Sequence, residues 1–177
     1  MDIGLLILRV VVGALFVGHG TQKLFGWFGG YGVQGTGGWL HGMGFRPGQP
    51  MAVLVGVSEA GGGLLLMLGL LTPLGCAAIV GVMTTAILAV HAEKGMWNTN
   101  GGMEFPLVMG IVAVAIAFAG PGAYSVDHAI GSGLAGTGWG VAATLLGLLG
   151  GISVNAYRLE RLRRSAQPAA GEERRAA

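Results

Sequence analysis

Charge is what this sequence has least of. Of its 177 residues only 10% are Asp, Glu, Lys or Arg, while 53% are hydrophobic. Soluble domains carry roughly 25% charged residues, so a water-facing surface is excluded over most of the chain. The few charges are also unevenly spread. None falls between Glu59 and Glu93, between Glu104 and Asp127, or between Asp127 and Arg158. Such intervals suit a bilayer, where lipid-facing positions need no charge. Cysteine is nearly absent as well. With Cys76 alone, an internal disulfide, a CxxC motif and a Cys-based zinc site are excluded. Cys76 reads as a small apolar residue.

Glycine is the opposite case, at 36 residues against a usual share of roughly 7%. No collagen period accounts for it. In membrane helices small residues let backbones approach closely, and Gly56/Ala60 and Gly147/Gly151 have the required spacing of four. One small membrane domain is expected, with no room for a second, soluble one.

The apolar runs divide the chain. Span one covers roughly 3–25. It has no basic n-region and no small-residue cleavage site, so it is read as retained rather than as a signal peptide. A Gly-rich loop follows, with Trp27, Phe28, Tyr31 and Trp39 suited to the headgroup zone. Short helical pieces are expected near Trp39 and His41. Spans two, three and four cover roughly 51–71, 73–91 and 104–119, with Pro73 in the first turn of span three. The expected layout is an all-α, integral membrane four-helix bundle over 1–128 and a linker over 129–138. A fifth C-terminal transmembrane helix follows over 139–157, then a basic tail over 158–177. The tail holds six Arg and three Glu. Its first part can extend as an interfacial helix, and the rest has a disordered composition.

With five spans, Lys23, Arg46, Lys94 and the tail arginines share one side, and only Arg9 belongs to the other. The positive-inside rule makes the crowded side cytoplasmic in a multi-pass protein of the cell membrane. If 139–157 does not cross, the tail changes side.

Ionisable groups inside spans cost roughly 2.5–3.5 kcal/mol each near the bilayer centre, so each needs a partner or a cavity. His19 and Lys23 are four apart and share a helix face, with Gln22 beside them. Alternating span direction brings that end of span one level with Glu59, His91 and Glu104. Arg46 lies in the loop on the same side. A Glu59 contact with His19 or with Lys23 would neutralise both members. Arg9 and Asp127 fall in the other half, and a structural ion pair between them is expected. A carboxylate and an imidazole in a low-dielectric cleft suit proton transfer, of the kind quinone reduction needs. They equally suit a transport path. His19 and His91 have no spacing that signals haem, and no metal site is evident. Nucleic acid is not an expected partner; the lipid bilayer is.

Three blocks carry a resemblance. "LLILRVVVGALFVGHGTQKLFG", "SEAGGGLLLMLGLLTPLG" and "MEFPLVMGIVAVAIAFAGPGAYSVD" resemble, in order, the DoxX family, over about residues 5–128. The resemblance implies a four-helix membrane protein assigned as an oxidoreductase. Relatives are associated with thiosulfate:quinone oxidoreductase subunits and with catechol- and quinone-response proteins. Others belong to a mycobacterial membrane complex linked to superoxide dismutase and thiol handling. Arg9, His19, Lys23, Glu59 and Glu104 sit in the matching blocks, and His91 lies between the second and third, within the span of the resemblance. One cysteine leaves no dithiol relay, and no dinucleotide fingerprint is present, so electrons would come from a bound cofactor, a quinol or a partner. The expected function is an oxidoreductase component acting with quinone or small redox-active molecules. Glu59 and His19 would be catalytic, and Lys23, Gln22, His91, Glu104 and Arg46 would bind substrate. The alternatives are a scaffold that recruits soluble redox enzymes, or a small-molecule permease; homo-oligomers fit any of these.

Overall fold

A backbone in hydrocarbon must satisfy its own hydrogen bonds, which leaves the helix as the element for each apolar run. The computed structural model describes residues 2–166 and has no strand among them. Its α-helices are α1 (Asp2–Phe25), α2 (Gly32–Gly42), α3 (Gly48–Leu68), α4 (Thr72–Ala86), α5 (Glu104–Ala119), α6 (Val126–Ala129) and α7 (Thr137–Ala166). α4 continues through a π-helical turn, Ile87–His91, and a 3-10 turn, Ala92–Lys94. Asp2–Phe25, Gly48–Leu68, Thr72–Lys94 and Thr137–Ala166 are long and apolar enough to cross a membrane, and Glu104–Ala119 is apolar but shorter. The architecture is thus the all-α membrane bundle read from the sequence.

Some ends differ from that reading. α3 begins at Gly48 and stops at Gly69, whose left-handed backbone (φ 62°) closes the helix as glycine readily does. Glu59 therefore lies about 16 Å along α3 at 1.5 Å per residue, deeper than a start at residue 51 implies. α7 starts at Thr137, slightly before the expected 139, and stays helical to Ala166, so the first part of the tail extends the helix as the sequence allowed. The disorder expected further along the tail falls on residues 167–177, outside the described residues.

α1, α3, α4 and α5 pack in sequence around the bundle, α1 and α5 scarcely touch, and α7 lies outside against α4 and α5. Glycines set these contacts. A Cβ at Gly13 would stand 2.5 Å from the Gly63 oxygen, and one at Gly20 would stand 2.6 Å from the Ala60 Cβ. α1 and α3 are therefore antiparallel with their backbones nearly touching. Along α7, Gly140 faces Phe118, Gly147 faces Val80, and Gly151 faces Gly81 and Thr84. α7 thus runs parallel to α4 and traverses the height of the bundle. Both small-residue pairs noted in the sequence are helix contacts.

The two ends of the bundle differ. Towards Arg9 the interior is filled by Val12, Phe16, Leu66, Ile79 and Ile116. Towards Lys23 the filling is looser, and α2 with the loop after it covers the opening. Exposed Trp27, Phe28, Tyr31 and Trp97 surround that end, and Tyr124 and Trp139 the other, as expected of side chains at the two membrane–water boundaries.

Gly20→Leu should lower thermal stability in detergent by about 1–3 kcal/mol, the usual range for overpacking. Gly18→Leu should change it little, because nothing lies within 4 Å of a Cβ at Gly18. Equal melting shifts for the two would contradict the packing described.

Candidate functional site

Glu59 is 4% exposed in the interior of the bundle. Lys23 donates to its carboxylate Oε2, forming an ion pair between α1 and α3. The helices explain the meeting. Gly20 against Ala60 and Gly56 lets α1 approach α3 next to Glu59. Side chains on a helix lean toward its N-terminus. On α1 that direction carries Lys23 down into the bundle, where its ammonium also lies 3.5 Å from the His19 carbonyl. On α3 it carries Glu59 up to meet it. Of the two partners the sequence left open for Glu59, the ion pair is with Lys23.

Beside the pair lies a cavity of about 590 Å³, lined by residues of α1, α3, α4, α5, α7 and the α2 cover. His19, Lys23, Glu59 and His91 all line it. The His19 ring stands edge-on to Phe105, with centroids 6.1 Å apart across the narrow seam between α1 and α5. His91 closes the π-helical turn of α4, and its Nδ1 lies 2.7 Å from the Gly101 carbonyl. A carbonyl only accepts, so Nδ1 carries the proton of this hydrogen bond, which leaves Nε2 turned away from it. The extra residue of a π turn re-aims the side chains after it, and such turns are frequent at functional sites. Most other walls are apolar, among them Phe16, Trp39, Phe45, Met51 and Met83. At the rim Leu54, Leu74 and Leu146 are 49%, 51% and 60% exposed, so the cavity reaches the lipid-facing surface.

Three residues expected in the cluster are elsewhere. The Gln22 amide donates to the Phe28 carbonyl at 3.2 Å, holding the loop after α1. Glu104 accepts from the Asn98 backbone at 3.0 Å and organises the loop before α5. Arg46 lies at the α7 contact, where its carbonyl accepts from the Tyr157 hydroxyl. None of the three lines the cavity. The sequence had no signal for Trp39 or Phe45 as walls, because cover positions have no periodicity that fixes a facing, and none for Phe105, because α5 is apolar all round and its pattern singles out no face. Among the described residues no three His, Cys, Asp or Glu side chains gather to hold a metal ion.

Arg9 and Asp127 share the far end, as expected, but form no direct ion pair among the described residues. Each is buried, at 0% and 1% exposure, and each bonds mainly to backbone, with Arg9 Nε left without a partner among the described residues. Arg9 donates to the Leu66 and Tyr124 carbonyls. Asp127 accepts from the Leu71 and Thr72 amides at 3.0 and 2.9 Å and from the Thr72 hydroxyl at 2.8 Å, capping α4 from a distant segment. Gly69 makes room for the guanidinium, since any Cβ there would collide with it. This cluster ties α1, the α3–α4 turn and the chain after α5 together.

The family model for DoxX matches residues 4–92, which carry α1 to the end of the π turn and so include His19, Lys23, Glu59 and His91. An uncharacterized protein from Haemophilus influenzae is 32% identical over 124 residues, covering 68% of this chain and 86% of that protein. No solved structure matches.

Removing one partner from a buried ion pair typically costs about 3–5 kcal/mol, because the other charge is left unpaired. Lys23→Met should therefore depress melting in detergent strongly, and adding Glu59→Gln to it should recover most of the loss. A double variant no more stable than Lys23→Met would contradict the pairing.

Proposed function

The chain belongs to the DoxX family and is a multi-pass membrane protein, and from that premise we propose that its cavity binds a quinone-class molecule as part of a membrane oxidoreductase. One observation carries the reading: a mostly apolar cavity opening toward lipid, with His19, Lys23, Glu59 and His91 gathered on its lining. A quinone is a flat apolar ring with two carbonyl oxygens. The ring suits walls such as Phe105 and Trp39. A carbonyl oxygen suits the Lys23 ammonium or a histidine N–H as donor.

Reduction of a quinone to a quinol takes two electrons and two protons. Here the electrons come from a soluble redox partner, and the protons pass to the ring oxygens from His19 and from the Lys23–Glu59 pair. Desolvated walls strengthen each polar contact with the oxygens. His91, when neutral, has Nε2 to accept from the hydroxyl of the quinol form. Lys23 on the cavity wall attracts an oxygen-rich or anionic substrate. In the cell membrane the end bearing Lys23, Arg46 and the α7 arginines faces the cytoplasm, following the positive-inside rule, and that is the side from which a soluble partner delivers electrons.

A chain keeping Trp39 as its sole tryptophan should show saturable fluorescence quenching by a short-chain ubiquinone analogue. His19→Ala should weaken that binding about tenfold, as loss of one good hydrogen bond does. Linear, unsaturable quenching that is identical in both chains would contradict the proposal. For orientation, a green fluorescent protein fused after Ala177 should fluoresce, and an alkaline phosphatase fused there should be inactive; the reverse pattern would overturn the assigned side.

A further inference from the structure

The last turns of α7 hold a group of arginines that the cavity does not use. Leu162 seats on Gly44, where a Cβ would stand 2.6 Å from its Cγ. That contact presses the end of α7 onto the connection between α2 and α3. Around it the Tyr157 hydroxyl donates to the Arg46 carbonyl and accepts from Arg161 Nε at 3.0 Å. The Arg161 guanidinium lies 5.0 Å from the Tyr157 ring centroid, and that of Arg158 lies 5.7 Å from the Phe45 ring. Arg158 Nε donates to the Met43 carbonyl at 2.8 Å.

Each of these guanidinium groups is oriented by a neutral partner: a carbonyl, a phenol or a ring face. Among the described residues none of them is in an ion pair. Among the described residues the carboxylates in ion pairs are Glu59, held by Lys23, and Glu160, held by Arg164 at 2.7 Å. Among the described residues two buried side-chain donors have no hydrogen-bond partner, Arg46 Nε here and Arg9 Nε at the far end. A buried charged donor without an acceptor is costly, and an arginine fork fits one kind of acceptor best, an anionic oxygen pair. The position narrows the choice further. The group sits where α7 leaves its apolar stretch, at the end of the bundle ringed by exposed Trp27, Tyr31 and Trp97, which is the level of lipid headgroups.

We propose that Arg46, Arg158 and Arg161 form a binding site for the phosphodiester headgroup of an anionic phospholipid. The site fixes one lipid where α7 meets the α2–α3 connection, and so braces the cover of the cavity. It is independent of what the cavity holds.

The test uses the full chain in a neutral maltoside detergent, with bound lipid counted by native mass spectrometry. Short-chain phosphatidylglycerol should be retained one to one in clear preference to phosphatidylcholine. Arg46→Gln with Arg161→Gln should weaken phosphatidylglycerol retention about 30-fold, as expected for two basic groups at an anionic headgroup. Arg164→Gln should not, since that arginine already has Glu160. Arg46→Lys with Arg161→Lys, which keeps charge and loses the fork, should fall between and guards against loss of fold. Equal retention of the two lipids would overturn the proposal, as would an unchanged preference in the Gln double variant. Inorganic phosphate or an acidic peptide displacing the lipid at equal concentration would reassign the site to a soluble anion or to a protein partner.

Discussion

A carboxylate held inside a membrane protein must be neutralised, and the Lys23–Glu59 pair is how this chain does it. A single charged side chain near the bilayer centre costs roughly 2.5–3.5 kcal/mol. Much of the upper half of the bundle follows from meeting that cost. Gly20, Gly56 and Ala60 are small so that α1 comes close enough for Lys23 to reach. The pair holds the bundle together at the level where its interior is least filled. It also leaves the wall beside it charged in a place where every other wall could have been apolar.

The two halves solve the same problem differently. At the far end Arg9 and Asp127 are equally buried, yet they spend their hydrogen bonds on backbone carbonyls and amides. Those contacts fasten three chain segments so closely that a Cβ at Gly69 would collide with the Arg9 guanidinium. At the near end Lys23 and Glu59 bond to each other and border a cavity. Packing on one side and an open site on the other is what separates a structural charge cluster from a candidate functional one. The π-helical turn belongs to the open end: α4 is regular along the filled core and part of the cavity wall, and departs from regularity at Ile87–His91, where His91 joins the lining.

Much of this was legible in the sequence because hydrocarbon is a strict solvent. Charge-free intervals located the spans, and the alternation of their direction put His19, Lys23, Glu59 and His91 at one end. The Gly56/Ala60 and Gly147/Gly151 spacings were readable as candidate contacts, though only the structure shows what each meets. What the sequence lacked was rotation. Gln22 is one position from the cavity face and points to the loop instead. Glu104 and Arg46 are at the right height but serve loop and α7 contacts. α2 is rich in glycine, a poor helix former, and is helical because Thr36, Gly37 and Leu40 are buried. The π turn has no proline or other local marker. Arg9 and Asp127 were placed correctly by level, but level does not say that each takes backbone partners in place of the other.

The proposed binding site is the space between His19, Phe105 and the π turn of α4. Photolabelling of the protein in native membranes with an azido-quinone, followed by peptide mapping, addresses it most directly. Label concentrated on the segments holding His19, Ala89 to His91 and Phe105, and competed away by unlabelled quinone, is the predicted result. Label spread over the lipid-facing Leu148 and Leu149 of α7, with no competition, would contradict it.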